Sequence, residues 1–336
     1  TIPSIVESKY SILENIGSRS TIKAKKFSEK FNSESYGNYE DVLNDKNTDV
    51  VYISLPIGLQ EKWIIKAANA QKHILCEKSI STSLKSIKKI ISVCKKNDVS
   101  IMEGFSYRFH PQQKEVERIL NQKKIGEIRN FSSYFLLPIL PSVNNFRFNK
   151  KLGGGILNDV CCYIINASRL TMKDEPISVT CKLFKNKKFN IDNNGIIYMV
   201  FPDNRTAFGV FGYEKMYLTE CKIFGSKGFV NIDDYYIINK TSKAKIDIIT
   251  KRKTTIKINS VNKSKLMIEH FCKKIFDSNH ANSMNEIIKQ GIVMEASRIS
   301  NLKEKTVFLR DHLAFMKAAG SMIHLNPPGE GERCWW

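Results

Sequence analysis

The sequence predicts an α/β protein in two parts: a doubly wound parallel sheet, incomplete at its start, and then an α/β domain with a large, mostly antiparallel open sheet. Three observations carry this reading. Up to Glu103, short continuous apolar runs alternate with segments of helical period, as strands covered on both faces by crossover helices do. Beyond about residue 125, long strand-like runs follow one another directly, separated by turn residues. The chain has 336 residues, 42% of them hydrophobic and 26% charged, which supports two domains, each with a core of its own.

The elements follow in order. Ser11–Ile16 is a short apolar run stopped by Gly17-Ser18-Arg19, and Ser20–Phe31 is a helix with Ile22, Ala24, Phe27 and Phe31 apolar. Asp49–Leu55 reads as a buried strand that Pro56 and Gly58 end, and the helix Gln60–Ala70 follows. His73–Cys76 and Val99–Glu103 are strands on either side of a helix, Leu84–Asn97, whose Ile87, Ile90, Ile91 and Cys94 share one face. In the second part, Ile128–Leu137 is a longer strand, and Pro138 and Pro141 open a loop. Gly153-Gly154-Gly155 precedes a helix through Leu170. Strands are expected at Ser178–Phe184, Gly195–Phe201, Thr206–Tyr213 and Met216–Phe224, and helices at Leu266–Phe276 and Ser283–Ser300. The expected division is 1–122, 123–310 and an atypical tail, 311–336, that ends Arg333-Cys334-Trp335-Trp336.

Composition excludes several classes. No apolar run approaches the roughly 18–20 residues of a membrane span, and the opening TIPSIVESKYSI has neither the basic nor the apolar region of an export signal. None of the eight cysteines forms a CxxC pair, so a reducing, cytoplasmic setting is expected. The six histidines are scattered, so no metal site is expected. Lys and Arg number 53 against 33 Asp and Glu, a net charge of +20. That surplus raises the question of nucleic acid. The densest basic stretch, Lys240 to Lys265, alternates with Ile and Thr as the solvent-facing side of strands would, and it lacks a ladder of stacking aromatics. Specific nucleic-acid binding is therefore not expected.

Chemistry in a parallel sheet sits beyond the carboxyl ends of the strands. At Ser18-Arg19, a hydroxyl and a guanidinium suit the phosphate on a dinucleotide's ribose and lean toward NADP over NAD; taken alone, the pair reads equally as a solvated strand end. Leu55-Pro56-Ile57-Gly58 is a second strand end. Cys76-Glu77-Lys78 is a third, where an ammonium would stabilise negative charge on a substrate oxygen, while an isolated lysine there is more often a surface residue. After the triple glycine come Asn158, Asp159, Cys162, Tyr163 and Asn166, with Asp159 and Tyr163 one helical turn apart. A phenol beside a carboxylate and within reach of Lys78 would exchange a proton with a substrate hydroxyl. The bland alternative is a capping Asp and a core Tyr.

Four ordered blocks sharpen these readings: VYISLPIGLQEKWIIKAANAQKHILCEKSIS, IMEGFSYRFHPQ, KIGEIRNFSSYF and NNFRFNKKLGGGILNDVCCYIINASRL. Together they resemble the glucose–fructose oxidoreductase and inositol dehydrogenase family (Gfo/Idh/MocA). The resemblance implies a Rossmann-like NAD(P)-binding domain followed by an α/β domain whose open sheet makes homo-oligomer contacts. It implies hydride transfer to or from a sugar, nucleotide sugar, inositol or related polyol; the surplus of positive charge also suits an anionic substrate. Lys78 matches the lysine of the family's Glu-Lys-Pro motif. Tyr163 matches a position that is His or Tyr in the family, and Asp159 matches the acidic residue one turn earlier. Ser18 and Arg19 match the adenosine side, and Leu55, Pro56, Glu77 and Glu103 match cofactor-lining positions. Arg147 lies in the segment that approaches nicotinamide and substrate, and Arg108 either joins the site or braces the domain interface.

The chain also departs from the pattern. Ser79 replaces the motif's proline, and Ile57 and Gln60 stand where many relatives have Asn and His. Thr1-Ile2-Pro3-Ser4-Ile5 already reads as the helix that follows the family's Gly-x-Gly loop, so the opening strand and that loop are expected to be missing from these residues. This leaves an oxidoreductase, the preferred reading because Lys78, Asp159 and Tyr163 remain, and a noncatalytic binding or assembly protein as the alternative.

Overall fold

A computed structural model describes residues 1–238, 243–277 and 281–309. The tail expected at 311–336, with Cys334, lies outside the described residues, as does Lys240. Helix α1 (Ile2–Val6) begins on Pro3 and leads to strand β1 (Asn15–Gly17). Ser20 caps α2 (Thr21–Phe31) by accepting from the Lys23 amide. Two elements not expected from the sequence follow: β2 (Ser35–Gly37) and α3 (Tyr39–Asn44), the latter started by a capping box between Asn38 and Asp41. Then come β3 (Val50–Ile53), α4 (Ile57–Asn69), β4 (His73–Cys76), α5 (Leu84–Lys96) and β5 (Ile101–Glu103). A 3₁₀ turn, Ser106–Phe109, leads into α6 (Pro111–Asn121), also unexpected.

Strands β3, β4 and β5 form one parallel sheet in that order, and β1 and β2 form a separate parallel pair. Among the described residues no strand joins the two. Helices α4 and α5 cover one face of the larger piece through Ile64, Ala67, Ile87, Ile90 and Ile91.

The second part contributes β6 (Ile128–Leu136), a π-helical turn (Leu157–Cys161), α7 (Cys162–Met172), β7 (Ser178–Asn186), β8 (Ile191–Val200), β9 (Thr206–Gly212), β10 (Leu218–Gly225) and β11 (Phe229–Ile232). It continues with β12 (Ala244–Ile249), β13 (Lys253–Ile258), α8 (Lys263–Phe276), α9 (Ala281–Lys303) and β14 (Val307–Phe308). Among the described residues, nine strands make one sheet in the order β13-β12-β11-β10-β6-β9-β8-β7-β14, antiparallel throughout except for the parallel β6–β9 pair. In the basic stretch, Lys245 and Lys253 both pair with Asp247, at 2.9 and 3.0 Å.

Alternation along β8 puts Ile197 and Met199 inside and Ile196 and Tyr198 outside. The inner face packs on α7 and α9 around Phe131, Phe135, Ile164, Ile165 and Phe211. Helices α8 and α9 bind the two parts together. Met267, Ile268 and Phe271 of α8 pack on Leu75 and Met102 of the parallel sheet, and Met284 and Ile287 of α9 join its opposite face.

Candidate active site

The carboxyl end of β4 and the start of α7 meet at one point. Gly153 and Gly155 take positive φ values of 78° and 118°, and a Cβ on Gly154 would lie 2.4 Å from the Arg147 carbonyl. This tight turn lets the Gly155 amide bond the Arg147 carbonyl at 3.0 Å. Asp192 of β8 accepts from the Leu157 amide at 2.9 Å and fixes the start of the π turn. The sequence reads as a single helix here; the structure has a π turn first, a wider winding that recurs at functional sites. Its carbonyls receive the β4 end: Lys78 Nζ donates to Asp159 O at 2.6 Å, and the Ser79 hydroxyl donates to Asn158 O at 3.0 Å. A proline at position 79 would lack that hydroxyl, so this departure from the motif makes a bond of its own. The Lys78–Ser79 peptide is cis.

Asp159 is the hub. Its Oδ1 accepts from Lys78 Nζ at 2.9 Å, and its Oδ2 accepts from Arg147 Nε at 2.7 Å and from the Tyr213 hydroxyl at 2.8 Å. The Lys78 and Asp159 side chains are each 12% exposed. Burial disfavours the Asp159 carboxylate, but Lys78 and Arg147 outweigh it and hold the group well below the usual carboxylate range. Burial likewise opposes the Lys78 ammonium, yet the Asp159 charge holds it above its ordinary value. Lys78 is therefore a cation at neutral pH, with one N–H beyond the two it gives to Asp159.

Tyr163 lies beside this pair, its ring centroid 4.9 Å from Lys78 Nζ and its edges packed by Phe105, Tyr107, Phe135 and Tyr236. Burial pushes its phenol above the ordinary value, only partly offset by Lys78. Among the described residues, the Tyr163 hydroxyl has no hydrogen-bond partner. The helical spacing predicts Asp159 and Tyr163 side by side, but the carboxylate turns to Lys78, Arg147 and Tyr213 instead.

The other candidates line the strand ends. Leu55 O accepts from Gln60 Nε2 at 2.9 Å, while Gln60 Oε1 is buried without a partner. Leu55 and Pro56 are partly exposed. Glu77 accepts from the Tyr52 hydroxyl. Glu103 accepts from the Ile80 amide at 2.9 Å, and burial pushes its carboxyl up to about 7. Ser18 follows β1, its amide bonded to Gly37 O at 3.0 Å, and Arg19 is exposed. Lys78, Asp159, Tyr163 and Arg147 thus form one cluster, whereas Ser18 and Arg19 sit on the separate β1–β2 pair. Tyr213 is not legible as a site residue in the sequence, which reads it as the last residue of the strand Thr206–Tyr213; β9 ends at Gly212, and the Tyr213 hydroxyl turns to Asp159. Among the described residues, no group of three His, Cys, Asp or Glu side chains is placed to hold a metal, and no helix is long and apolar enough to cross a membrane.

A parallel sheet with a lysine at its carboxyl edge, closed by a carboxylate and a phenol from a second sheet domain, defines a two-part α/β class. Known proteins narrow it further. Residues 2–105 match the oxidoreductase family with an NAD-binding Rossmann fold, Gfo/Idh/MocA, and residues 114–231 match that family's C-terminal domain. The chain belongs to the Gfo/Idh/MocA oxidoreductase family. It is 32% identical over 213 residues to dTDP-3,4-didehydro-2,6-dideoxy-alpha-D-glucose 3-reductase of Actinomadura kijaniata, a match covering 63% of this chain and 64% of that protein. An uncharacterized oxidoreductase of Rhizobium meliloti is 30% identical, with 69% of each chain covered. The match spans just under two thirds of the Actinomadura relative and of its Saccharopolyspora spinosa counterpart. Among solved structures, a 3-ketoreductase from Actinomadura kijaniata in complex with NADP and TDP-benzene superposes with a TM-score of 0.85 at 25% identity, covering 89% of this chain and 92% of that one.

Proposed function

We propose that this protein is an NAD(P)-dependent oxidoreductase, with NADP favoured, that acts on a carbon–hydroxyl or carbonyl group of a sugar, nucleotide sugar, inositol or related polyol. The observation that carries the reading is Lys78 held as a cation by Asp159, with an N–H to spare, beside a phenol whose hydroxyl has no partner. The strand ends fit a dinucleotide. Leu55, Pro56, Glu77 and Glu103 follow one another along the carboxyl edge of β3, β4 and β5, and the orphaned Gln60 Oε1 lies behind Leu55. Ser18 and Arg19 would take the adenosine side. The bound nicotinamide would supply or accept hydride at C4.

This chain's own residues then do the rest. Lys78 holds the reacting oxygen and offsets the negative charge that develops there. Tyr163, kept neutral by burial, gives its proton to that oxygen in carbonyl reduction and recovers it in the reverse direction. Asp159 fixes the Lys78 ammonium and keeps it charged, while Arg147, 31% exposed, reaches the hydroxyl-rich or anionic part of the substrate. Tyr163→Phe is expected to lower turnover about 10²–10⁴-fold, the range of general acid–base catalysis, with NADPH affinity changed far less. Equal turnover in the variant would remove Tyr163 from the proton-transfer role.

The outward face of the nine-stranded sheet supports a homo-oligomer. Ile196, Tyr198 and Leu218 are exposed there, with Tyr134 and Val210 paired between them in register. Sedimentation of Ile196→Lys should show a smaller assembly than the unsubstituted protein; equal mass for both would place any contact elsewhere. The seven cysteines among the described residues are all unpaired, which supports a cytoplasmic setting.

A further inference from the structure

Asn158 precedes Asp159 in the π turn and, although polar, is buried. Three of its atoms are engaged. Its carbonyl accepts from the Ser79 hydroxyl at 3.0 Å, its Nδ2 donates to Gly153 O at 3.0 Å, and its Oδ1 accepts from Arg298 Nη2 at 2.7 Å. The first two bonds tie the turn to the β4 end and to the glycines before it. The third reaches 140 residues along the chain, to α9.

Arg298 is itself held. Its Nη1 donates to Glu295 Oε2 at 3.2 Å, one turn earlier on α9, and the same carboxylate oxygen accepts from the Leu84 amide at 3.3 Å. Leu84 opens α5, where the first helical amides have no partner within the helix. The segment that leads from Lys78 into α5 is thus gripped at both ends, at Ser79 by Asn158 and at Leu84 by Glu295. Burial lowers Arg298 from its ordinary value, while Glu295 and Asp192 oppose this, and the guanidinium stays charged.

The packing of α9 does not need this side chain. Met284 and Ile287 seat the helix on the parallel sheet, and Val293, Met294 and Ala296 join the core under the nine-stranded one. Gly291 brings α9 so near α5 that a Cβ there would lie 2.5 Å from Ile87 Cδ1. What the guanidinium adds is direction. Asp159 gives Lys78 two acceptors, its main-chain carbonyl and a carboxylate oxygen, so a shift of the neighbouring Asn158 moves both at once. A displacement of about 1 Å in such a constellation costs roughly 10²-fold in rate.

We infer that Arg298 is a positioning residue: through Asn158 it fixes the π turn, and with it the two Asp159 oxygens that aim the Lys78 ammonium. This role rests on the proposed hydride transfer.

The test compares the full chain with Arg298→Ala, Arg298→Lys, Asn158→Ala and the double variant Arg298→Ala/Asn158→Ala. Single-turnover transfer from NADPH to a panel of aldoses, inososes and nucleotide-linked ketosugars is read beside NADPH affinity and amide hydrogen exchange. Arg298→Ala is expected to slow transfer about 10–100-fold while NADPH affinity stays within about twofold. Arg298→Lys keeps the charge and a donor and should fall between that variant and the unsubstituted chain. The double variant should be no slower than the slower single one, because both changes break the same link. The Leu157 and Asp159 amides, bonded to Asp192 and to Gly155 O, should exchange faster in Arg298→Ala while those of α9 do not. Should Arg298→Ala fail to fold, Arg298→Lys takes its place, with a slowing of at least about threefold expected. Transfer at the unsubstituted rate, a loss of NADPH affinity as large as the loss of rate, or a double variant slowed by the product of the single effects overturns the role. If the unsubstituted chain transfers no hydride, the proposed reaction itself fails and exchange alone decides: faster Leu157 and Asp159 amides in the variant uphold the grip of Arg298 on the turn, and unchanged ones overturn it.

Discussion

Replacing Lys78 by alanine is expected to lower the rate of hydride transfer about 10³-fold, the scale on which a preorganised donor to a developing oxyanion acts. The effect is large because Lys78 is bound on the protein side before any substrate arrives. Two of its N–H groups are spent on the main chain and carboxylate of Asp159, at 2.6 and 2.9 Å, so the third is aimed rather than free to wander. Among the described residues no other ammonium joins this cluster, and Arg147 is tied to the opposite oxygen of Asp159. NADPH affinity should change by far less than the rate, and parallel single-turnover and fluorescence titrations separate the two. A variant that turns over within tenfold of the unsubstituted protein would take Lys78 out of the chemistry.

Asp159→Ala is expected to have the largest effect on stability, a loss of about 3–5 kcal/mol at pH 7, as when one partner of a buried ion pair is removed. Lys78 and Arg147 would then face each other across a gap, and the Tyr213 hydroxyl would lose its acceptor. The pH dependence follows from the depressed carboxyl. The folded state keeps Asp159 ionised below the 3.8 at which the unfolded chain takes up its proton. Its contribution is therefore complete above that value and fades as pH falls through the lower folded value. Urea unfolding at pH 7 and at successively lower pH should show the gap between protein and variant narrowing only in acid. A constant gap, or none, would mean that the charges are not coupled as the distances require.

Much of the parallel sheet is legible in the sequence because β3, β4 and β5 are covered on both faces and so read as unbroken apolar runs. Helix α5 is legible for a related reason: Ile87, Ile90, Ile91 and Cys94 fall on one stripe, and all are buried. Strand β2 escapes because Ser35-Tyr36-Gly37 has no apolar signal of its own and becomes a strand by pairing with β1. Helix α6 escapes because it buries Gln112 and Gln113 beside Val116 and Ile119, so its inner face does not look apolar. The site divides in the same way. Lys78, Asp159 and Tyr163 are marked by their ordered motifs, and the structure brings them together. The π turn is not legible, since nothing in Leu157–Cys161 departs from helical composition. Its origin lies in long-range partners, the Asp192 carboxylate and the β4 end, that no local pattern reveals. Tyr213 is hidden for the same reason, 54 residues away from the carboxylate it serves.

Isotope transfer shows whether the Lys78–Asp159–Tyr163 cluster carries out hydride transfer. The protein is given NADPH deuterated at C4 with a panel of aldoses, inosose-type ketones and nucleotide-linked ketosugars, and the products are read by mass and NMR. Deuterium is expected on the newly formed carbinol carbon of at least one product, with a primary isotope effect on a single turnover, and both are expected to be lost in Lys78→Ala and Tyr163→Phe. Protein that binds NADPH yet transfers no deuterium to any member of the panel, or variants that transfer it as fast as the unsubstituted chain, would contradict the claim and favour a noncatalytic binding role.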